Sequence, residues 1–344
     1  MVMRGLRHSA AVEPVLVMGA GSIGGWLGGR LAAAGVPVVM VGRPRMLAAM
    51  RSHGLTLTDC DNGQIRLPAE TLELHEQVPR GLAPGLVLLC VKSGATVEAA
   101  TALAAALPAG TPVVSMQNGI DNVAAARRVA PRLALLPGMV PFNVAELGPG
   151  HLHRGTSGML AAQYHPALHA WLPVLAAAGL PMSLHRDLLP VQWGKLLLNL
   201  NNAVNALSGL PLRAQLLDRD LRWCSAALMD ETLAVLRRAG IRPARMSPLP
   251  PGWLPPVLRL PTPLFRLLAA RMLRIDDKAR SSMADDLAHG RPTEVDAFHG
   301  AVARLAKHHG MAAPLNLRIA SLVRGWPDLP RPFVGSALRS ALLE

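Results

Sequence analysis

Apolar and polar positions form alternating blocks along the first half of the chain. Short apolar runs, each long enough for one buried strand, are separated by longer stretches with the spacing of amphipathic helices. The apolar runs are 15–18, 36–41, 86–91 and 112–116, and the helical stretches are 23–34, 94–106 and 120–129. Such alternation is typical of a parallel sheet covered by helices on both faces. We therefore predict an α/β N-terminal domain of the Rossmann type, with a doubly wound sheet, over residues 14–186, and further short strands and turns in 55–75 and 132–163.

The second half of the chain is dominated by helical spacing. The predicted helical stretches are 188–208, 219–239, 264–274, 283–289, 294–309 and 314–324. We expect an all-helical C-terminal domain over residues 187–330, and flexible tails at 1–13 and 331–344. The stretch 243–263 contains eight prolines, which exclude one continuous helix. We predict a surface loop or a short lid-like excursion there.

Composition narrows the classes of function. The net charge of +13 comes from scattered arginines, without a basic run or an aromatic platform, which argues against a nucleic-acid partner and favours anionic small molecules. Three separated cysteines, Cys60, Cys90 and Cys224, predict neither a disulfide framework nor a metal site. No apolar run reaches the roughly 18 residues of a membrane helix, so we expect a soluble, cytoplasmic protein with no membrane contact.

A glycine-rich motif follows the first predicted strand and opens the first predicted helix. The motif is Gly19-Ala20-Gly21-Ser22-Ile23-Gly24. In a βαβ unit, the first glycine allows the tight turn, the second lets the backbone approach a pyrophosphate, and the third lets helix and strand pack closely. These six residues are predicted to bind a dinucleotide. The alternative is a glycine turn without a ligand.

The end of the second predicted strand distinguishes NAD from NADP. NAD enzymes usually place a carboxylate there for the ribose 2′-hydroxyl. This chain has Val41-Gly42-Arg43-Pro44-Arg45, without a carboxylate, and Arg43 is able to bind a 2′-phosphate through two hydrogen bonds. We therefore predict NADP (as NADPH), against the alternative that Arg43 is an ordinary surface arginine.

A predicted helix in the second half carries an unusual polar stripe. Lys195, Asn199 and Asn202 share one helical face, with Asn205 at its edge. Asparagine is a poor helix former, so four asparagines in seven residues indicate a stripe that bonds a ligand, against the alternative that these side chains bond a neighbouring domain. Only four of the 35 basic residues are lysines, and lysine, unlike arginine, can donate a proton to an alkoxide. The chain offers neither a Tyr-x-x-x-Lys pair nor a Cys/His cluster for catalytic zinc.

Five segments together resemble the ketopantoate reductases (2-dehydropantoate 2-reductases) of pantothenate, and hence coenzyme A, synthesis. The segments are 19–24, 91–93, 117–119, 195–199, and 281–283 with 293–296. The resemblance covers about residues 15–325 and implies a Rossmann domain followed by a helical domain with substrate and catalytic groups. It implies a proton-donor role for Lys195, a substrate contact for Asn199, and a contact of Ser282 with the substrate carboxylate. Lys92, Asn118 and Glu294 would lie at the nicotinamide end of the cofactor, with Asn118 also contacting substrate.

The resemblance is imperfect at two places. The family's second substrate asparagine would fall on Ala203, so the nearest candidates are Asn202 and Asn205. We prefer Asn205 because the residues that follow it, Ala206-Leu207-Ser208, resemble those that usually follow the family's asparagine. The proline-rich stretch 243–263 is longer than in compact members, which leaves the identity of the substrate open.

The resulting hypothesis is NADPH-dependent reduction of 2-dehydropantoate to (R)-pantoate. One alternative is the same chemistry on another 2-oxo acid or on an imine derived from one. An alternative of another class is an NADP-sensing regulatory protein. The helical half is compatible with a homodimer, although no distinctive interface is visible in the sequence.

Overall fold

The computed structural model describes residues 13–270, 273, 279–326 and 332–344. The chain forms two compact domains. The first contains residues up to 117 together with 122–188, and the second contains 118–121 together with 189–344. The four-residue segment 118–121 therefore belongs to the second domain, although residues on both sides of it belong to the first.

The first domain contains α-helices and two sheets. Among the described residues its strands are β1 Val15–Met18, β2 Val38–Val41, β3 Leu55–Asp59, β4 Gln64–Leu67, β5 Glu73–His75, β6 Leu86–Leu89, β7 Pro112–Ser115, β8 Ala134–Met139, β9 Val144–Gly148, β10 His151–Arg154, β11 Leu160–Gln163 and β12 Met182–His185. Its α-helices are α1 Ser22–Ala33, α2 Pro44–His53, α3 Thr96–Ala106, α4 Asn122–Val129 and α5 Trp171–Ala177. The predicted strands and helices are all present, with ends shifted by a few residues.

The larger sheet has the strand order β12-β11-β8-β7-β6-β1-β2-β5. The six strands from β8 to β5 are parallel to one another, whereas β11 runs antiparallel to β8. Strand β6 is apolar throughout because the sheet is covered on both faces, and its four residues are fully buried. The chain order reverses between β1 and β6, the point at which open α/β sheets bind ligands. The predicted doubly wound fold is confirmed.

The smaller sheet, with the order β4-β3-β10-β9, packs on helix α1. A Cβ atom added to Gly25 would lie 2.8 Å from a methyl carbon of Leu152, and one added to Gly29 would lie 2.6 Å from a methyl carbon of Leu55. The extra glycines of α1 therefore allow a second layer of strands to approach the helix closely. This packing holds the helix that follows the glycine-rich motif.

The second domain is helical, as predicted. Its described helices are α6 Leu189–Asn199, α7 Asn201–Ser208, α8 Leu212–Leu217, α9 Arg219–Arg238, α10 Leu254–Leu258, α11 Thr262–Leu268, α12 Ser282–Ala288, α13 Val295–His308, α14 Pro314–Arg324 and α15 Gly335–Leu343. Helix α9 is the longest of them. The Asp218 side chain caps it by accepting hydrogen bonds from the backbone N–H groups of Asp220 and Leu221. Part of the predicted helix 264–274 lies outside the described residues.

The proline-rich stretch is folded onto the domain. It forms the short helix α10, whose Leu254 and Leu258 are buried, so the expectation of a surface loop is wrong for this part. The fully buried Arg222 of α9 donates hydrogen bonds to the carbonyl oxygens of Leu258 and Leu260, each at 2.9 Å. Proline prevents one long helix, and buried apolar contacts together with this arginine hold the broken segment in place.

The expected C-terminal tail is wrong as well. Residues 335–343 form helix α15, and its Leu338 and Leu342 are buried. Helix α15 packs mainly on α9. At the other end of the chain, residues 1–12 of the expected N-terminal tail lie outside the described residues.

The described part of the chain contains no helix that is both long enough and apolar enough to cross a membrane. It also contains no group of three or more His, Cys, Asp or Glu side chains arranged to hold a metal ion.

Replacing Leu338 with alanine tests whether α15 is part of the folded domain. We expect Leu338→Ala to lower the free energy of unfolding by about 2–5 kcal/mol, because it removes a fully buried side chain. Leu343→Ala in the same helix is the control, since that side chain is 61% exposed and its loss should cost less than about 0.5 kcal/mol. Equal urea-denaturation midpoints for the two variants would contradict the packing of α15.

Candidate functional site

The glycine-rich motif forms the turn from β1 into α1. Gly19 has a φ of +110°, and a Cβ atom there would lie 2.6 Å from the backbone nitrogen of Val91. A Cβ atom on Gly24 would overlap the carbonyl oxygen of Gly19. These two glycines are therefore required by the protein's own backbone.

Gly21 differs from the other two glycines of the motif. A Cβ atom built on it would meet no atom of the described chain within 4 Å, apart from its direct neighbours. Gly21 is also the N-cap of α1 and offers no capping side chain, so the first N–H groups of the helix point outward. Open space in front of a helix N-terminus is the arrangement that a dinucleotide pyrophosphate requires.

Two basic residues lie just after strands of the same sheet. Arg43 follows β2 as the N-cap residue of α2 and is exposed. Lys92 follows β6 and is also exposed. By contrast, the neighbouring Arg45 forms an ion pair with Glu146 at 3.2 Å.

Gln117, to which the sequence gives no obvious role, connects the ends of two neighbouring strands. Its Nε2 donates hydrogen bonds to the carbonyl oxygen of Val91 at 2.9 Å and to Oγ1 of Thr96 at 2.7 Å. Its Oε1 accepts a hydrogen bond from Ser115 at 2.8 Å. Gln117 thus joins the ends of β6 and β7 just before Asn118. The signal in the sequence that could have identified this role is a glutamine directly after an apolar predicted strand.

In the helical domain, three predicted site residues form one hydrogen-bonded array. Lys195 Nζ donates to Asn118 Oδ1 at 2.8 Å, and Asn118 Nδ2 donates to Glu294 Oε2 at 3.1 Å. The amide oxygen of Asn118 faces a cation and its NH₂ group faces an anion, so its orientation is fixed by charge. The Asn118 side chain thus contacts both Lys195, on α6, and Glu294, the N-cap residue of α13.

The environment of Lys195 changes its acidity. Burial disfavours the ammonium and lowers the pKa of Lys195 to about 8, while the negative charge of Glu294 acts in the opposite direction. A lysine with this pKa holds a proton at neutral pH and releases it more readily than an exposed lysine does. The array can therefore supply a proton to a developing alkoxide.

The asparagines of the stripe lie on two successive helices, Asn199 at the end of α6 and the others on α7, and they differ in burial. Asn199 and Asn202 are partly exposed, and their amides form no hydrogen bond with the rest of the described chain. Asn205 is fully buried: its Nδ2 donates to the carbonyl oxygen of Leu210, and its Oδ1 accepts from the backbone N–H of Ser281. The assignment of Asn205 as a substrate contact is therefore wrong, since both ends of its amide are used within the fold.

Ser282 is the exposed first residue of helix α12. The buried Ser281 before it is the N-cap, and its hydroxyl accepts a hydrogen bond from the backbone N–H of Ala284. The Ser281 hydroxyl also donates to the carbonyl oxygen of Asn202 at 3.2 Å. Capping is thus the function of Ser281, and the Ser282 hydroxyl is left on the surface.

Comparison with known proteins identifies the family of the chain. The family model for ketopantoate reductase PanE/ApbA matches residues 15–166, and the model for its C-terminal part matches residues 187–326. The chain belongs to the ketopantoate reductase family. The resemblance recognised in the sequence is thereby confirmed, and helix α15 lies beyond the matched region.

Individual relatives of this ketopantoate reductase family member span nearly its full length. A 2-dehydropantoate 2-reductase from Halobacterium salinarum is 30% identical over 322 residues, which cover 90% of this chain and 97% of the relative. The structure of a PanE/ApbA family ketopantoate reductase from Ralstonia eutropha JMP134 is 28% identical with a TM-score of 0.77, covering 92% of this chain and 98% of the other. A D-mandelate dehydrogenase structure is 19% identical, with a TM-score of 0.75 and the same coverage, and shares the fold.

Alanine substitutions at Gly21 and Gly24 should separate ligand binding from folding. We expect Gly21→Ala to keep the stability of the parent and to weaken binding of a nicotinamide dinucleotide about tenfold or more, because a methyl group enters open space needed by the pyrophosphate. Gly24→Ala should lower the free energy of unfolding by about 1–3 kcal/mol through overlap with Gly19. Thermal denaturation and fluorescence titration measure the two effects. Unchanged dinucleotide binding by Gly21→Ala would contradict the assignment.

Proposed function

We propose that this protein reduces 2-dehydropantoate to (R)-pantoate with NADPH. The observation that carries the proposal is the Lys195–Asn118–Glu294 array, in a chain that belongs to the ketopantoate reductase family. Asn199 follows Lys195 by about one turn of α6, Asn202 lies near the start of α7, and both are partly exposed. The proposal also explains why a poor helix former recurs in this helix.

The proposed chemistry requires one proton from the protein. When bound, the nicotinamide cofactor supplies the hydride that reduces the carbonyl carbon. Lys195 stabilises the negative charge that develops on the carbonyl oxygen and transfers a proton from Nζ to it. Asn118 orients the ammonium, and Glu294 keeps it protonated at neutral pH because its negative charge opposes the effect of burial.

Substrate binding is assigned to polar groups that the fold leaves available. We assign Asn199 to the first substrate contact, and Asn202 replaces Asn205 as the second. The exposed hydroxyl of Ser282 is assigned to the substrate carboxylate. Asn118 is in addition close enough to Lys195 to contact the reacting carbonyl.

Cofactor binding is assigned to the glycine-rich motif, 19–24, and to basic side chains near it in the first domain. Arg43 would bind the 2′-phosphate and so select NADPH over NADH. Lys92 is assigned to the cofactor because it follows β6 at the point where the chain order of the sheet reverses. Glu294 is assigned to the nicotinamide ribose.

One observation supports a second candidate substrate. The carbonyl oxygen of Ala244, at the start of the proline-rich segment, lies against Gly194, the residue before Lys195. A segment anchored there is able to alter the substrate pocket. Another 2-oxo acid, or an imine derived from one, is therefore the second candidate.

A panel of 2-oxo acids, with and without ammonia, tests the proposed reaction through oxidation of NADPH. We expect the highest kcat/KM for 2-dehydropantoate. Lys195→Ala should lower kcat by about 10²–10⁴-fold and leave NADPH affinity nearly unchanged, because it removes the proton donor. Higher kcat/KM for another acid would favour the second candidate. Tight NADPH binding without any turnover would favour a sensor, and near-normal turnover by Lys195→Ala would refute the mechanism.

Substitution of Arg43 tests the choice of cofactor. Arg43→Ala should raise KM for NADPH about tenfold to a hundredfold, since charge-assisted hydrogen bonds to the 2′-phosphate are lost, while KM for NADH changes little. Arg45→Ala is the matched control, because that neighbouring arginine is paired with Glu146. Equal effects of Arg43→Ala on both cofactors would rule out 2′-phosphate recognition by this residue.

A further inference from the structure

The segment 118–121 is attached to the helical domain at three points. Asn118 forms hydrogen bonds with Lys195 and Glu294. Ile120 packs against the hydrophobic core of the helical domain. Asp121 accepts two hydrogen bonds from Arg304 of α13. Each attachment is made by a different residue of this four-residue segment. Holding one of these residues in place therefore restricts the positions of the other two.

The contact between Asp121 and Arg304 has a well-defined geometry. Arg304 Nε and Nη2 both donate to Asp121 Oδ2, at 3.0 and 2.6 Å. Nη2 also donates to the carbonyl oxygen of Asp296 at 3.0 Å, so the arginine side chain extends back along α13 toward its start. Helix α13 begins directly after Glu294. Both ends of the segment are therefore tied to the same stretch of chain: Asn118 to Glu294, and Asp121 to the Arg304 side chain near Asp296.

The backbone between these attachments is tightly turned. Gly119 has a φ of +95°, a conformation that other residues rarely adopt. The direction in which the Asn118 side chain leaves this turn depends on where the following residues are held. A small shift would weaken the hydrogen bond from Lys195 to Asn118 Oδ1, because a hydrogen bond weakens steeply when it lengthens or bends.

We propose that the Asp121–Arg304 ion pair positions Asn118 between Lys195 and Glu294, and that Arg304 is thus a positioning residue for the reductase reaction. The kinetic consequences of this positioning role rest on the proposed function. The positioning of Asn118 by the ion pair does not depend on it. Neither Asp121 nor Arg304 is assigned to substrate or cofactor. Loss of the pair should reduce proton donation by Lys195 without affecting the cofactor contacts of the first domain.

The size and direction of the effect follow from the surroundings of the pair. Both side chains are more than half exposed, so the pair itself is weak and sensitive to salt. We expect kcat to fall about threefold to tenfold when it is removed, with a smaller rise in KM for NADPH, because the glycine-rich motif and Arg43 keep their positions. Loosening Asn118 also removes a hydrogen bond that favours the charged form of Lys195, which lowers its pKa. Because a proton donor must be protonated, kcat would then decline at a lower pH than in the parent.

The experiment compares two arginines with similar exposure. Arg304→Ala is the test variant, and Arg324→Ala is the control, since Arg324 pairs with Asp296 on α13 but contacts no residue of 118–121 by a hydrogen bond in the described chain. The charge-reversed double variant Asp121→Arg with Arg304→Asp should restore kcat toward the parent value. High salt should lower kcat of the parent toward that of Arg304→Ala. All variants should keep the thermal stability of the parent within a few degrees, because the altered residues are exposed.

A direct measurement separates this inference from the proposed function. The chain has only four lysines, so NMR titration of protein labelled with ¹³C-lysine can follow Lys195, assigned through Lys195→Ala. We expect a pKa near 8 in the parent and in Arg324→Ala, and a lower pKa in Arg304→Ala. An unchanged or raised Lys195 pKa in Arg304→Ala would overturn the positioning role, whatever the substrate. A lowered pKa in a protein that reduces no 2-oxo acid would instead support the positioning role and refute the proposed function.

Discussion

A partly buried ammonium group is the feature on which the arrangement of the helical domain depends. Removing a lysine charge from water is unfavourable unless the protein provides an acceptor, and here Asn118 Oδ1 accepts a hydrogen bond from the ammonium at 2.8 Å. Asn118 is in turn fixed by Glu294, which takes the other end of its amide. The need to satisfy one charge therefore brings together three residues that are far apart in the sequence. Burial lowers the pKa of Lys195 to about 8, and the negative charge of Glu294 acts in the opposite direction.

The amide side chains near this array illustrate two uses of the same residue type. Asn205 and Asn118 are both fixed by hydrogen bonds at both ends, but Asn205 joins α7 to the start of α12, whereas Asn118 holds an ionisable group. Asn199 and Asn202 are partly exposed and remain available to a ligand. Ligand-binding capacity thus depends on whether the fold has already used both ends of the amide.

The proline-rich segment shows how a stretch that cannot form one long helix is held in place by tertiary contacts. The buried Arg222 donates to backbone carbonyl oxygens near the end of α10 and stacks on Phe265 with 4.3 Å between its guanidinium carbon and the ring centre. Its hydrogen bonds satisfy carbonyl groups that a short helix leaves without partners. Near the start of the segment, the carbonyl oxygen of Ala244 lies against Gly194. The segment therefore also contacts α6, the helix that carries Lys195.

The sequence by itself determined the fold class, the place of the glycine-rich turn and the helix that carries Lys195, because these depend on local periodicity and on residues close together in the chain. It could not decide between Asn202 and Asn205, since a hydrogen bond from Ser281, 76 positions away in the sequence, determines which amide is buried. A flexible tail was predicted from the sequence at the position of α15, because a short amphipathic helix is stable only when it packs against the rest of the protein. Tertiary structure alone decided that Asn118 belongs with Lys195 and Glu294, because a hydrogen bond between residues 77 positions apart has no local signal in the sequence.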